Sequence, residues 1–512
     1  MRIFLTLFVL VLVPPLSPLS FSDSAESSAA ERAAALVDAM SDEEALAQTF
    51  MLGWVGAEPS PLIMDWIRGR KIGGVKIFGW NTENTRLLAG TVGELQKASL
   101  ASPFGIPLLV ATDQEGGLVR HVKGATSETP GNMAIGASGY PRDAYLSGYY
   151  IGKELAALGI NMNFAPAVDL YTNRDSVLIG PRAFGNDPVK TGILGAAFMK
   201  GQQAAGIIPT AKHYPGHGGT DLDSHGVLPR IDLPIDVLWE RELVPYRILA
   251  REGLPAVMSG HLAFPKTPSA SAPASLSPYF LKDILRDRIG YRGIVITDDL
   301  MMNGAAAHAG SLSRAAKQAL LAGNDIILFS KTPGLYDQVW THLARSMGEE
   351  PLFRERVRDA ARRIIAMKLE FLQGDAAVPY VPDLAGLDDA LSSPEADAFF
   401  RDLAVRSVTA LKGGPENGGV FPLTPEKAGR VLLAGQYGDF FRAGKTAYPH
   451  AVSLRYPVSE AELLSFGRNA DTIIFCLSDG AGLRLLRSLE PLKKTVIVLS
   501  VLSPVYLEGA PW

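Results

Sequence analysis

The sequence predicts an α/β protein built on a (β/α)8 barrel of the TIM type, followed by a smaller α/β unit. Three observations lead there. Eight short β-rich runs alternate with amphipathic segments over the first two thirds of the chain, where a barrel of this kind takes about 250 residues. Several of the runs end in clusters of polar, titratable residues. At 512 residues and 47% hydrophobic composition, the chain is too long for one ordinary core and carries apolar material for two.

The eight runs are residues 49–55, 73–78, 108–112, 161–165, 207–212, 256–259, 293–297 and 325–329. Between them, residues 84–100, 142–158, 189–205 and 312–322 place apolar side chains at helical spacing with few internal breakers. Alternation alone does not close a barrel, so a doubly wound open sheet is the competing arrangement. A helix over 350–372 and a Gly/Pro/Asp-rich passage over 374–394 separate this region from the rest. Beyond lie strand-like runs at 430–434, 472–477 and 495–501 and helical patterns at 460–468 and 483–489. The resulting division is a leader over 1–22, a barrel over 30–374, a linker over 375–398 and a second unit over 399–512, which stops just after a strand and is expected to be incomplete.

The N-terminus reads as an export signal. Arg2 precedes an apolar run over 3–13, then Pro14, Pro15 and a Ser-rich stretch to Ser28. Such a run falls short of the roughly 20 residues that span a bilayer, so a signal peptide cut near Ser22 is expected, with no stable membrane span after cleavage. An uncleaved anchor is the alternative. No cysteine near the cut supports a lipid anchor. The single cysteine, Cys476, lies in an apolar run and reads as a buried small hydrophobe, leaving no intrachain disulfide. With 49 basic against 53 acidic residues, a net charge of -4 and no basic block, nucleic acid is not an expected partner.

Active sites in such barrels lie at the C-terminal ends of the strands. There the chain carries "DQEGG" (113–117), "KHYPGHGGTDLDSHG" (212–226) and "DDLMM" (298–302). In an extended segment residues two apart project to one side, so Asp223 and His225 can touch. A carboxylate on one imidazole nitrogen fixes the tautomer and raises the basicity of the other, which is the orienting half of an acid/base device. Gly216, Gly218 and Gly219 let the segment bend over the mouth, and Lys212 and His213 are placed to donate to hydroxyl groups.

Plainer readings exist for each. Asp-Ser-His also makes a capped turn with an exposed histidine. His213, His217, His225 and Asp223 would be metal ligands only at a spacing that matches no compact zinc pattern, so no metal or cofactor is expected. Asp299 suits the N-cap of the next helix, and Asp113 with Glu115 suits an ordinary turn. The functional reading gains from all these groups falling at strand ends of one barrel.

These segments, with "PGNMAIGAS", "NMNFAPAVDL", "GPRAFGNDP" and "GIVITDDLMMNGA", resemble glycoside hydrolase family 3, specifically its β-N-acetylglucosaminidase (β-N-acetylhexosaminidase) branch, through most of residues 36–372. The resemblance implies a (β/α)8 catalytic barrel and a retaining hydrolase of terminal β-linked N-acetylglucosamine in peptidoglycan fragments or chitooligosaccharides. It makes Asp298 the nucleophile and His225, assisted by Asp223, the general acid/base. Asp113, Arg182, Lys212 and His213 would bind the sugar. An arginine is expected eight residues after Asp113, but the eighth residue is His121 and Arg120 is the seventh, so Arg120 is the candidate if the loop is shifted by one.

A histidine acid/base does not repel an anionic acceptor as a carboxylate would, so a glycosyl phosphorylase is an alternative. A carbohydrate-binding envelope protein without turnover is another. Relatives acting on glucosides or xylosides lack the Asp-Ser-His loop. The stretches "VRSVTALKG" and "TVIVLSVLSPVYL" resemble the start of the family's α/β sandwich domain. With the leader, these features predict an exported protein of the periplasm or the extracellular space.

Overall fold

The computed structural model describes residues 28–220, 228–412, 421–501 and 504–511. The expected leader lies outside them. Eight strands form one parallel sheet: β1 (Phe50–Gly53), β2 (Gly74–Lys76), β3 (Leu109–Thr112), β4 (Met162–Asn163), β5 (Ile208–Tyr214), β6 (Ala256–Ser259), β7 (Ile294–Thr297) and β8 (Ile327–Phe329). They follow one another in chain order, with β8 paired to β1. Between β7 and β8 an isolated bridge joins Ile296 to Ile326, and the Thr297 and Leu300 amides donate to Ile326 and Leu328, each at 3.0 Å. The ring is thereby closed, and the open doubly wound sheet is set aside.

The strands are buried throughout and mostly apolar because both of their faces are covered. Met51, Leu109, Met162, Ile208, Met258, Ile294 and Leu328 belong to one buried cluster that fills the barrel, while Phe50, Leu52, Val75 and Val110 pack in another beneath the surrounding helices. Helix Pro351–Phe371 sends Ile364 and Met367 into the barrel cluster. Beside it, Asp325, fully buried at the start of β8, accepts from Arg286 (2.8 Å), Arg356 (2.9 Å) and Arg363 (3.0 Å), and from the Val295 amide at 2.9 Å. Those contacts reinforce the side of the barrel where the ladder is thinnest.

Helices Pro141–Ala157 and Pro188–Ala204 flank β4 and touch backbone to backbone. A Cβ on Gly148 would stand 2.2 Å from the Phe198 carbonyl oxygen, and one on Gly201 would stand 2.0 Å from that of Tyr145. Neither position accepts a side chain without separating the helices.

Helix Pro394–Arg406 runs across the expected boundary between linker and second unit. It belongs structurally with the barrel: Phe400 packs on Tyr150, and Arg406 pairs with Asp143 at 2.8 Å. The second unit is a parallel four-stranded sheet in the order β10-β9-β11-β12, from β9 (Val431–Gly435), β10 (Val452–Arg455), β11 (Thr472–Leu477) and β12 (Thr495–Ser500). Strand β10 was not anticipated, since it buries only Leu454 and so carries no apolar run. Cys476 is buried in β11, as its apolar surroundings led us to expect. Among the described residues no helix is long and apolar enough to cross a membrane.

Candidate active site

The polar residues converge where the strand ends indicated. Asp113 follows β3 directly, and Glu115 lies in a short hairpin pairing Gln114–Gly116 with Val119–Arg120. Lys212 and His213 end β5. The pairing of β5 with β6 shifts register between Ala211 and Tyr214, which breaks the two-residue alternation and lets adjacent side chains both reach the mouth.

Lys212 Nζ bridges the two carboxylates, at 2.5 Å from Asp113 Oδ1 and 2.7 Å from Glu115 Oε1. Arg182 grips Glu115 with both arms, Nη2 to Oε1 at 2.7 Å and Nε to Oε2 at 2.9 Å. Lys76, at the end of β2 and almost fully buried, reaches Asp113 Oδ2 at 2.7 Å. Burial alone would push both carboxylic acids up. Lys212 and Lys76 nevertheless hold Asp113 well below the usual range, and Arg182 and Lys212 bring Glu115 down to about 2. Lys212 is raised in turn, because Asp113 and Glu115 outweigh the burial that would lower it. The mouth is therefore lined with ionised, mutually satisfied donors and acceptors before any ligand arrives.

His213 gives its Nδ1–H to Asp169 Oδ2 at 2.7 Å, and its Nε2 stands 3.4 Å from Arg182. Asp169 also accepts the amide N–H groups of His213 and His217. His217 packs edge-on against His213 and is buried, with neither ring nitrogen bonded among the described residues; burial lowers its pKa to about 4. Gly218 comes next, and its backbone lies so close to Leu170 that a Cβ would meet the carbonyl oxygen at 1.5 Å. Asp298 follows β7, half-buried, with its amide bound to Ser259 O at 2.9 Å. Burial would raise its pKa, but His213, His261 and the Asp299 amide keep it lowered, so the carboxylate is ionised at neutral pH.

Three readings are revised. Asp299 does not cap the following helix, which starts at Asn303 behind Met302; its Oδ1 instead accepts from the Met301 and Ser330 amides, at 3.0 and 3.1 Å, tying the turn after β7 to the end of β8. Asp113 and Glu115 are not an ordinary turn pair, since both are spent on the buried cations just described. Arg120 does not join the cluster: its guanidinium donates to Ser127 O at 2.8 Å and faces Glu128. His121, the eighth residue, comes in its stead, with Nδ1 3.2 Å from Lys76 Nζ and 3.7 Å from Asp113. Burial and then Lys76 lower its pKa to about 4, and because an ammonium only donates, Nδ1 accepts and Nε2 carries the proton.

Asp223 and His225 lie outside the described residues. Lys76 and Asp169 were not found from the sequence, although Lys76 ends β2 and Asp169 lies in the loop after β4, at the same C-terminal ends where β3, β5 and β7 carry their polar residues.

The family profile "Glycosyl hydrolase family 3 N terminal domain" matches residues 43–367, the barrel almost end to end. The chain belongs to glycosyl hydrolase family 3. It is 33% identical over 386 residues to Beta-hexosaminidase A of Pseudoalteromonas piscicida, covering 71% of this chain and 62% of that relative. It is 31% identical over 405 residues to a Beta-N-acetylglucosaminidase/beta-glucosidase of Cellulomonas fimi, covering 77% and 68%. A family 3 β-N-acetylglucosaminidase structure from Paenibacillus sp. str. FPU-7 superposes with a TM-score of 0.81 at 28% identity, over 92% of each chain. This chain thus spans a little under two thirds of the Pseudoalteromonas relative's length.

Proposed function

We propose that this chain is an exported, retaining exo-β-N-acetylglucosaminidase that removes terminal β-linked N-acetylglucosamine from peptidoglycan fragments or chitooligosaccharides. The observation that carries the reading is the ionised Asp298 carboxylate at the end of β7, facing the buried set Asp113, Glu115, Arg182, Lys212 and His213 at the same mouth. A sugar presents many hydroxyls that need partners once desolvated, and this set supplies donors and acceptors together. The likeness to hexosaminidases supports the choice of sugar, and the apolar leader over 3–13 supports export.

In this mechanism Asp298 attacks the anomeric carbon, the bond to the leaving oxygen breaks, and a covalent glycosyl-enzyme forms. His225, oriented by Asp223, protonates the leaving oxygen and then takes a proton from the water that releases the sugar with retained configuration. Asp113, Lys212, Arg182 and His213 hold the ring hydroxyls while C1 moves.

The test is steady-state hydrolysis of the aryl β-glycosides of N-acetylglucosamine and of glucose, side by side, by the chain and by Asp298→Ala. Preferential release from the N-acetyl substrate, reduced at least about 10³-fold in the variant, is the expected result. Equal preference for glucose would overturn the substrate, and an unimpaired variant would overturn the nucleophile.

A further inference from the structure

We infer that Trp80, stacked on Phe78, is the wall that ends the sugar site and restricts cleavage to chain termini. The inference rests on Asp298 being the nucleophile.

Trp80 is 44% exposed at the rim of the mouth, yet it is held firmly. Its ring lies flat on Phe78, with centroids 4.5 Å apart and planes 10° from parallel, and its Nε1–H donates to the Trp54 carbonyl at 2.7 Å. Asn81 ties the same two loops, donating to Trp54 O at 3.1 Å and Gly56 O at 2.6 Å while accepting from the Phe78 amide at 2.8 Å. Thr82 fastens them to the loop after β3 by donating to His121 O at 2.7 Å. A large aromatic group fixed on three sides and bare on the fourth is a steric element, because no rotation moves it out of the way.

Its position follows from the polar cluster. Lys76 Nζ lies 4.2 Å from the Phe78 ring centroid and 2.7 Å from Asp113, and the His121 ring is 5.7 Å from Phe78. The aromatic pair therefore stands directly behind the groups around Asp113. In the closed ring of eight strands β3 faces β7, so Asp113 and Asp298 approach the mouth from opposite sides. A pyranose with C1 at Asp298 and hydroxyls on Asp113 spans that gap. C4 is the ring carbon opposite C1, so O4 points to the β2–β3 side. A further sugar linked through O4 would have to occupy the volume of Phe78 and Trp80.

Two p-nitrophenyl glycosides separate the possibilities: that of β-N-acetylglucosamine, with O4 free, and that of N-acetyllactosamine, in which galactose caps O4. The chain should release p-nitrophenol from the first and hardly at all from the second. In Trp80→Ala, and in Trp80→Leu should the first variant fail to fold, the ratio of capped to free kcat/KM should rise at least about tenfold, the scale on which a shaped pocket discriminates. Trp80→Phe keeps a ring there and should keep the ratio low. An unchanged ratio in folded Ala and Leu variants, or ready cleavage of the capped substrate by the unaltered chain, overturns the wall while leaving the nucleophile in place. Release from neither glycoside by the unaltered chain removes the nucleophile reading, and the wall with it.

Discussion

His213 donates its Nδ1–H to Asp169 at 2.7 Å, and Asp169 has no exposure to solvent. The same carboxylate accepts the backbone N–H groups of His213 and His217, so one buried charge sets both the ring and the main chain at the end of β5.

Asp169→Asn should therefore disturb the site more than the fold around it. An amide offers one acceptor oxygen where three donors converge, and a buried donor left without its partner costs about 1–3 kcal/mol. The expected outcome is a fall in kcat/KM on the order of 10²-fold with the far-UV spectrum retained. Steady-state kinetics on the aryl β-N-acetylglucosaminide would check it.

Glu115 links the site to acid stability. Its folded pKa of about 2 lies below the ordinary carboxylate value, so its contribution is fully present above about pH 4.5 and is lost as pH falls toward 2. Asp113 and Asp169 are lowered too and add in the same direction. Unfolding free energy from urea titration should fall over that window. Glu115→Gln should be less stable at pH 7 by about 2 kcal/mol and show a shallower acid decline.

Lys368 carries the opposite sign. It is buried in helix Pro351–Phe371 with Gln48 Oε1 at 3.0 Å, and burial lowers its pKa to about 7. Because the unfolded lysine binds its proton up to about pH 10.4, folding is disfavoured below that value, most strongly at and below pH 7. Lys368→Met should raise the thermal midpoint at pH 6–7, by a free energy of about 2 kcal/mol, and the gain should shrink toward pH 10. Calorimetry across that range decides.

Asp325 is a test of barrel closure. Asp325→Asn leaves Arg286, Arg356 and Arg363 facing a neutral group at the start of β8, and a loss of about 3 kcal/mol is expected. Chemical denaturation would measure it. The Michaelis constant of the protein that remains folded should be unchanged, since Asp325 precedes the strand whose far end meets the site.

All eight barrel strands were legible in the sequence because parallel strands covered on both faces are largely apolar runs, and several are followed by helices long enough to show their period. Strand β10 was not, because three of its four residues are exposed. Helix Pro394–Arg406 was hidden behind a passage whose Pro, Gly and Asp content reads as linker. Within the site, Asp113, Arg182, Lys212, His213 and Asp298 stood in recognisable motifs. Lys76 did not, because a lysine inside "GVKIF" looks like an interruption of a strand until Asp113 is seen 2.7 Å away. Arg120 and His121 were separable only in three dimensions, since two adjacent hairpin residues face opposite ways.

The contact of Gly148 and Gly201 with the facing helix backbones has a bearing on how any substitution survey of this chain should be interpreted. Each position rejects even a methyl group on steric grounds, and each sits in a helix remote from the barrel mouth. Such a survey would flag both as sharply as Asp298. The distinguishing mark is what is lost: at the two glycines the amount of folded protein, and at Asp298, under the proposed mechanism, the turnover of protein that is still folded.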